Sequence, residues 1–407
     1  MKTKAAKIFS SIKYELCIFI VLAVQAIYKL YPDFSVGEYT RLYYLIDYSM
    51  GKTSRLLVGS IVKLFNPDPT PEWIAGFCMI VLGFTLLLSA VGIGKVIKCS
   101  DSEIKVQTLV LALFAVTGMF TFSNFSVYLG ILDIWMFVVA FVALLCLGNK
   151  YLQWLVPVLC AVGVFIHNGF AITYFPLIAL AAFYLAITKE KKIATSLVFI
   201  ISCAVAVVAT LWVSVKGAGT AAMTYEQLVE ALRFRGGYTY TDFGIDNIAF
   251  YLLDIPPEGT GVTPEMVAGA SALERMKLMA GVNLADISLT HTISLSIFGG
   301  AIIAAFWAVW VMCMKNTESK VRRFVYLCFM LSVFTIPLGM LVAQDFIRWF
   351  QSAIITQFAM AMLMVVTKDE PFKKTAQQLG AYFKDKTVLL AIIFIVYATM
   401  QPYGLSA

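Results

Sequence analysis

Apolar residues in this chain fall in long, nearly uninterrupted runs, and polar residues collect in the gaps between them. The runs lie near 15–31, 73–94, 106–123, 129–148, 152–167, 170–187, 193–215, 291–313, 324–343, 350–366 and 387–402. As helices, runs of this length cross about 30 Å of hydrocarbon. A closed barrel would instead show segments of about ten residues alternating apolar with polar. The pattern predicts an all-α polytopic bundle of about eleven spans, a single membrane domain over 1–407.

Two gaps are too long for simple turns, 32–72 and 216–290. In the first, Tyr39, Leu42, Tyr43 and Ile46 recur at helical spacing, which predicts an interfacial helix with Glu38 and Arg41 turned away from its apolar face. After Gly51, a second interfacial helix would send Leu56, Leu57, Ile61 and Leu64 to the membrane and align Arg55, Gly59 and Lys63 as a separate stripe. Thr70-Pro71-Glu72 is a helix start for the next span. In the second gap the pattern predicts a helical piece near 224–234, a break at Gly236-Gly237, an aromatic and acidic stretch from Tyr238 to Asp246, and an amphipathic helix from Thr263 to about Gly281.

Composition narrows the class. Hydrophobic residues make up 60% of the chain and the mean hydropathy is +0.85, which excludes an ordinary soluble domain. The net charge of +7 is scattered at span ends, so it points to topology rather than to nucleic acid. With the N-terminus inside, the predicted inner segments carry 20 of the 31 Lys and Arg, and Arg348 is the one basic residue on a short outer loop. Carboxylates lean the other way, 16 of 24 falling outside. Lys2, Lys4, Lys7 and Lys13 ahead of the first run resemble a signal peptide, with Val24-Gln25-Ala26 as a cleavage pattern. The run continues apolar beyond it, as an uncleaved anchor would. Eight cysteines show neither a disulfide framework nor a CxxC metal pattern.

Candidate chemistry sits at the outer edge of the spans. An ion-coupled transporter would place carboxylates near the bilayer midplane; here ionisable groups gather at headgroup level, the place for a substrate with a lipid tail and a polar head. Asp47, Asp33 and Glu38 are candidate general bases for moving a sugar onto a hydroxyl. Arg41, Arg55 and Lys63 can meet phosphate charge. Asp133, at the outer end of the fourth span, is either a functional carboxylate or half of an ion pair with another span. His167, in the tight turn His167-Asn168-Gly169, is an acid–base candidate or a hydrogen-bonded turn residue; His291 reads as a helix cap. Asp345 and Arg348 share a helical face, either as a salt bridge or as a phosphate-binding arginine with its orienting carboxylate. Arg233 and Arg235 beside the glycine pair are further anion candidates, and Tyr238 and Tyr240 are candidates to stack on sugar rings. No P-loop, dinucleotide fingerprint, HExxH or GxSxG pattern occurs.

The many-span layout with a long, acidic, amphipathic first outer loop resembles the GT-C superfamily of membrane glycosyltransferases. The run from Asp47 through Arg55 to Gly59, with Asp345-x-x-Arg348-Trp349, is similar in character to EpsG- and Wzy-type polysaccharide polymerases. The resemblance implies a bacterial cytoplasmic-membrane enzyme taking a sugar from a polyprenyl-phosphate or polyprenyl-diphosphate donor to a lipid-linked or glycan acceptor, with a first-loop carboxylate (Asp33, Glu38 or Asp47) as base. A divalent metal is left open as a cofactor. The alternatives are a Wzy-like polymerase of lipid-linked repeat units and a non-enzymatic glycan or lipid transporter.

Overall fold

The computed structural model describes residues 2–118, 120–122, 125, 129–188, 192–216, 223–253, 266, 274, 277, 289–340 and 346–399, and every regular element among them is helical. The first, α1 (Lys2–Leu30), runs along α4 (Pro71–Cys99), with the short α2 (Glu38–Leu42) and α3 (Leu56–Phe65) between them in sequence. Then come α5 (Lys105–Thr117), α6 (Leu132–Leu147), α7 (Val156–Ile166), α8 (Phe170–Thr173), α9 (Phe175–Thr188) and α10 (Lys192–Leu211). The second long gap contributes α11 (Tyr225–Leu232) and α12 (Asp242–Leu253). The last third supplies α13 (Leu289–Lys315), α14 (Lys320–Leu331), α15 (Thr335–Met340), α16 (Phe346–Val366), α17 (Glu370–Phe383) and α18 (Thr387–Thr399).

Each of the eleven apolar runs holds a helix, and among the described residues six stretches are long and apolar enough to cross a membrane: Ser11–Leu30, Pro71–Cys99, Ile193–Ser214, Ser296–Lys315, Lys320–Gly339 and Ile347–Val366. The others are shorter. The run near 106–123 is helical only to Thr117, Tyr174 interrupts the run near 170–187, and the run near 324–343 is divided by a 3-10 turn at Ser332–Phe334.

Lipid tails are as apolar as leucine, so burying one span against another gains little by itself, and close packing and buried polar pairs position the helices. The central helix is α16, flanked by α4, α9, α13, α15 and α17. Its Gln351, Ser352, Thr356 and Gln357 are all buried. Gln357 accepts from the Trp310 indole at 2.6 Å and donates to the Phe329 carbonyl at 2.9 Å, fastening α16 to α13 and α14. At one end of the bundle, Lys373 of α17 reaches Asp101 and Glu103, both at 3.3 Å. There Asp369 caps α17 through the Phe372 N–H at 3.1 Å and accepts from Tyr184 at 2.9 Å and from Tyr326.

The opposite end carries the residues between α1 and α4, and there the structure revises the sequence reading. The last two residues of α2, Arg41 and Leu42, and the four that follow the helix, Tyr43, Tyr44, Leu45 and Ile46, are all buried, Arg41 although expected to point away. The expected interfacial helix therefore ends at Leu42, and it is covered by protein, α12 packing on α2. The expected stripe is not a single helical face: Arg55 precedes α3 in a left-handed conformation, Gly59 is buried, and Lys63 is exposed while its ammonium reaches Asp47. A Cβ at Gly59 would lie 1.9 Å from the Ile46 carbonyl oxygen, so only glycine admits this approach of α3 to the 43–47 segment. Leu64, expected to face the membrane, is exposed. The expected start at Thr70 is present, its hydroxyl accepting from the Trp73 N–H at 3.3 Å ahead of Pro71. In the second gap, the capping box of Thr224 and Gln227 begins α11 where a helix is expected. Gly236 and Gly237 break the chain there with φ of 66° and 73°. The helix expected from Thr263 to about Gly281 lies mostly outside the described residues.

Candidate functional site

At this end of the bundle, side chains from five separated segments converge. Asp133 lies in the first turn of α6, where a carboxylate complements the partial positive charge of the helix N-terminus. Arg348 lies on α16. The two meet at 2.8 Å with side chains 4% and 18% exposed. Asp133 is thus half of an ion pair between helices. Asp345, the partner expected for Arg348, lies outside the described residues.

His167 ends α7 in extended conformation, and its Nδ1 accepts the Gly169 N–H at 2.8 Å. With Nδ1 an acceptor, the ring proton of the neutral imidazole resides on Nε2. Burial first, then the guanidinium charges of Arg55 and Arg348, hold the His167 pKa well below its ordinary value. A neutral N–H donor therefore stands within the field of both arginines. Tyr174, also buried, senses the charges of Asp133 and Arg348.

Arg55 reaches this cluster at a cost. Its φ is 75°, and among the described residues only Lys368 shares a positive φ without being glycine. A side chain in this region is strained by roughly 1 kcal/mol or more. Its N–H donates to the Phe165 carbonyl at 3.1 Å, filling one of the acceptors left open in the last turn of α7. Its guanidinium donates to the Tyr43 hydroxyl at 2.8 Å, and Tyr43 in turn donates to Tyr39. Tyr39 and Tyr43 are partners that sequence reasoning missed, since nothing local to Arg55 marks them.

The other first-loop carboxylates occupy different surroundings. Asp47 is buried; its Oδ1 accepts from the Ser49 N–H at 2.8 Å and the Ser49 hydroxyl at 2.6 Å, and its Oδ2 takes Lys63 at 2.9 Å. Burial pushes its pKa up, but the Ser49 and Lys63 contacts outweigh this and leave it below the usual carboxylate value. Asp33 is exposed and accepts the Ser35 N–H at 2.8 Å, in a local turn that lowers its pKa. Glu38 opens α2 half-buried, with Oε1 accepting from the N–H of Thr241 and from its hydroxyl at 2.8 Å. No contact with a described residue occupies its Oε2.

A second group forms where the 223–253 segment covers α2. The Arg41 guanidinium stacks on Tyr238 at 4.0 Å from the ring centre, with Tyr240 at 5.7 Å. It makes no ion pair among the described residues, and its Nε and the Tyr240 hydroxyl are buried without a hydrogen-bond partner there. Burial pushes the Tyr240 phenol up to about 12, with Arg41 pulling the other way. Arg233 and Arg235, the other anion candidates, are engaged in holding the fold. Arg233 pairs with Asp242, while Arg235 donates to the Leu45 and Pro67 carbonyls and lies 3.8 Å from Asp68. The side chain of His291 lies outside the described residues.

No three His, Cys, Asp or Glu side chains group as a metal site among the described residues, and all eight cysteines are free thiols. No family model, curated protein or solved structure matches the chain.

Proposed function

We propose that this end of the bundle transfers a sugar from a polyprenyl-phosphate-linked donor to a hydroxyl of a glycan or lipid acceptor, at the outer face of a bacterial cytoplasmic membrane. The observation that carries the reading is Arg55: a strained, non-glycine backbone holding a buried guanidinium beside His167 and the Asp133-paired Arg348. Two guanidiniums and a neutral imidazole N–H suit the oxygens of a phosphate that gains charge as it leaves. In the step proposed, the acceptor hydroxyl oxygen attacks the anomeric carbon and its proton passes to a carboxylate. The bond from that carbon to phosphate breaks, and the polyprenyl phosphate leaves with the electron pair. Inversion at carbon follows from one direct displacement.

Glu38 is the first-loop carboxylate best suited to accept the proton, because its Oε2 is open. Asp47 has both oxygens engaged, which suits a structural clamp for the 43–49 turn. Arg41 over Tyr238 and Tyr240 combines a cation with ring faces, as an acceptor sugar or its anionic group would require.

The purified chain, reconstituted with polyprenyl-phosphate sugar donors and a candidate acceptor mixture, is the direct test. Transfer that falls at least about a hundredfold in Arg55→Ala and Glu38→Gln is expected, the scale for loss of a transition-state donor or a general base. Full transfer by both variants would overturn the reading. In cells lacking the protein, unextended lipid-linked units should accumulate outside; units trapped inside would favour a transporter.

A further inference from the structure

Arg41 is only 9% exposed, yet its guanidinium N–H groups meet no hydrogen-bond or ion-pair partner among the described residues. The flat face of the guanidinium rests on Tyr238, 4.0 Å from the ring centre, and a ring face attracts the charge without occupying the N–H fork. The expected partner is Glu38, one helical turn back on α2 and so on the same side. The 223–253 segment diverts it: the Thr241 N–H and hydroxyl hold Glu38 Oε1, the hydroxyl at 2.8 Å. Tyr240, 2% exposed, has its ring centre 5.7 Å from the guanidinium, and its hydroxyl is likewise without a partner. Burial keeps that phenol protonated at neutral pH, so it too is a donor. Unpaired buried donors destabilise a fold, charged ones most. Two of them side by side are unfavourable in the empty protein and suited to a bound anion.

We infer that Arg41 and Tyr240 together bind the carboxylate of an acidic sugar, a hexuronate, in the acceptor. The inference rests on the acceptor reading given above and adds the acceptor's chemical class. A carboxylate is planar, carries a single charge and matches the guanidinium fork edge to edge, with lone pairs left for the Tyr240 hydroxyl. A phosphomonoester would bring nearly twice the charge. It would meet Glu38 on the same helix and Glu72, whose carboxylate senses Arg41. The other cation acting on Tyr240 is Arg235, which is engaged by the Leu45 and Pro67 carbonyls and by Asp68. The local balance therefore favours a monoanion. Side chains three apart on a helix start about 5–6 Å from each other, close to the width of a pyranose ring. A sugar anchored at Arg41 by its carboxylate thus keeps its hydroxyls within reach of Glu38 Oε2, the proton acceptor assigned above.

The test uses the whole protein in phosphatidylethanolamine nanodiscs and saturation-transfer-difference NMR. Methyl glucuronide is the probe, with methyl glucoside and glucose 6-phosphate as comparisons. Methyl glucuronide is expected to bind at least about tenfold more tightly than methyl glucoside, the scale of a charge-assisted hydrogen bond. Arg41→Gln should abolish that preference, and Arg41→Lys, which keeps the charge and loses the fork, should recover only part of it. Tyr240→Phe removes only a hydroxyl that has no partner in the fold, so it keeps the measurement decisive if the arginine variants fail to fold. It should weaken methyl glucuronide by roughly threefold to tenfold and leave methyl glucoside unchanged. Equal affinity for the two glycosides, tighter binding of glucose 6-phosphate, or a preference unchanged in either Arg41→Gln or Tyr240→Phe would overturn the inference. A glucuronide preference without any sugar transfer would support the subsite while refuting the transfer reading. Sugar transfer indifferent to a carboxylate on the acceptor would do the reverse.

Discussion

Replacing Arg348 with methionine tests how the site is held. The side chain keeps much of its length but loses the charge, and Asp133, 4% exposed, is left in the bundle with its nearest cation gone. Removing one partner of a buried ion pair typically destabilises by about 3–5 kcal/mol, because the remaining charge keeps its desolvation penalty. Arg348 keeps 18% of its side chain exposed, so the pair is only partly desolvated and a loss of about 2–4 kcal/mol is expected for Arg348→Met. Asp133→Asn should lose less, roughly 1–3 kcal/mol, since Arg348 is the more exposed partner and asparagine still offers an oxygen acceptor. The double variant removes both charges, so its loss should fall short of the two single losses added, by about 1–3 kcal/mol. SDS titration of the protein in mixed micelles, followed by far-UV circular dichroism, reads all four corners of the cycle. Additive losses within about 0.5 kcal/mol would refute the pair as the anchor between α6 and α16.

Four further outcomes follow from the same contacts. Arg55→Gly relieves a left-handed backbone and should cost less stability than Arg55→Ala by about 1 kcal/mol, yet abolish binding of polyprenyl phosphate; equal binding by the glycine variant would remove Arg55 from the site. Gly59→Ala places a methyl into the Ile46 carbonyl and should destabilise by roughly 1–3 kcal/mol in the same titration, whereas a neutral result would show that α3 does not approach this closely. For His167, a pKa depressed by burial and two arginines means the folded state resists a proton that the unfolded chain accepts. Its contribution is full above the ordinary histidine value of about 6.5 and is lost as pH falls from there through the folded value, by at most about 1.4 kcal/mol per pH unit. Stability measured from pH 7.5 to 5 should therefore slope downward in the wild type and flatten in His167→Gln; identical slopes would contradict the burial. The depressed Asp47 pKa puts its contribution at lower pH, full above about 4 and lost as pH falls below it, so Asp47→Asn should change the acid limb and leave the slope between pH 7 and 5 unaltered.

The helices were legible from the run lengths because a bilayer forces each span to satisfy its own backbone hydrogen bonds. Span boundaries were less legible: the apolar runs continue through Tyr174 and the 3-10 turn at Ser332–Phe334, and the local signs are Pro176 and Pro337, whose missing N–H leaves the carbonyls of Ile172 and Val333 without a helical donor. The first loop failed differently. Helical spacing places Tyr39, Leu42, Tyr43 and Ile46 on one face whether that face meets lipid or protein. Only the partner decides, and the partner, α12, begins 200 residues after Leu42 ends α2. Periodicity reports that a face is apolar and is silent about what covers it.

The polar residues show why a site can be half visible in a sequence. Arg348 stood out because its charge goes against the expected topology. Asp133 stood out for the converse reason, as a carboxylate within an apolar run. Each oddity was readable alone, and the 2.8 Å contact joining them was not, since 215 positions separate the two. Arg55 was legible only as a charge. What distinguishes it is the 75° φ, a cost that folding alone would remove by placing glycine there, as the chain does at Gly236 and Gly237. The Tyr43 contact and the Phe165 carbonyl explain how the conformation is held, but the carbonyl needs only a backbone N–H, which glycine also has. The guanidinium is what glycine lacks, and it donates to Tyr43 at 2.8 Å beside His167. The strain is kept for a side chain rather than for a backbone contact, and that is what sets Arg55 apart from Arg41, Lys52 and Lys63 in the same loop.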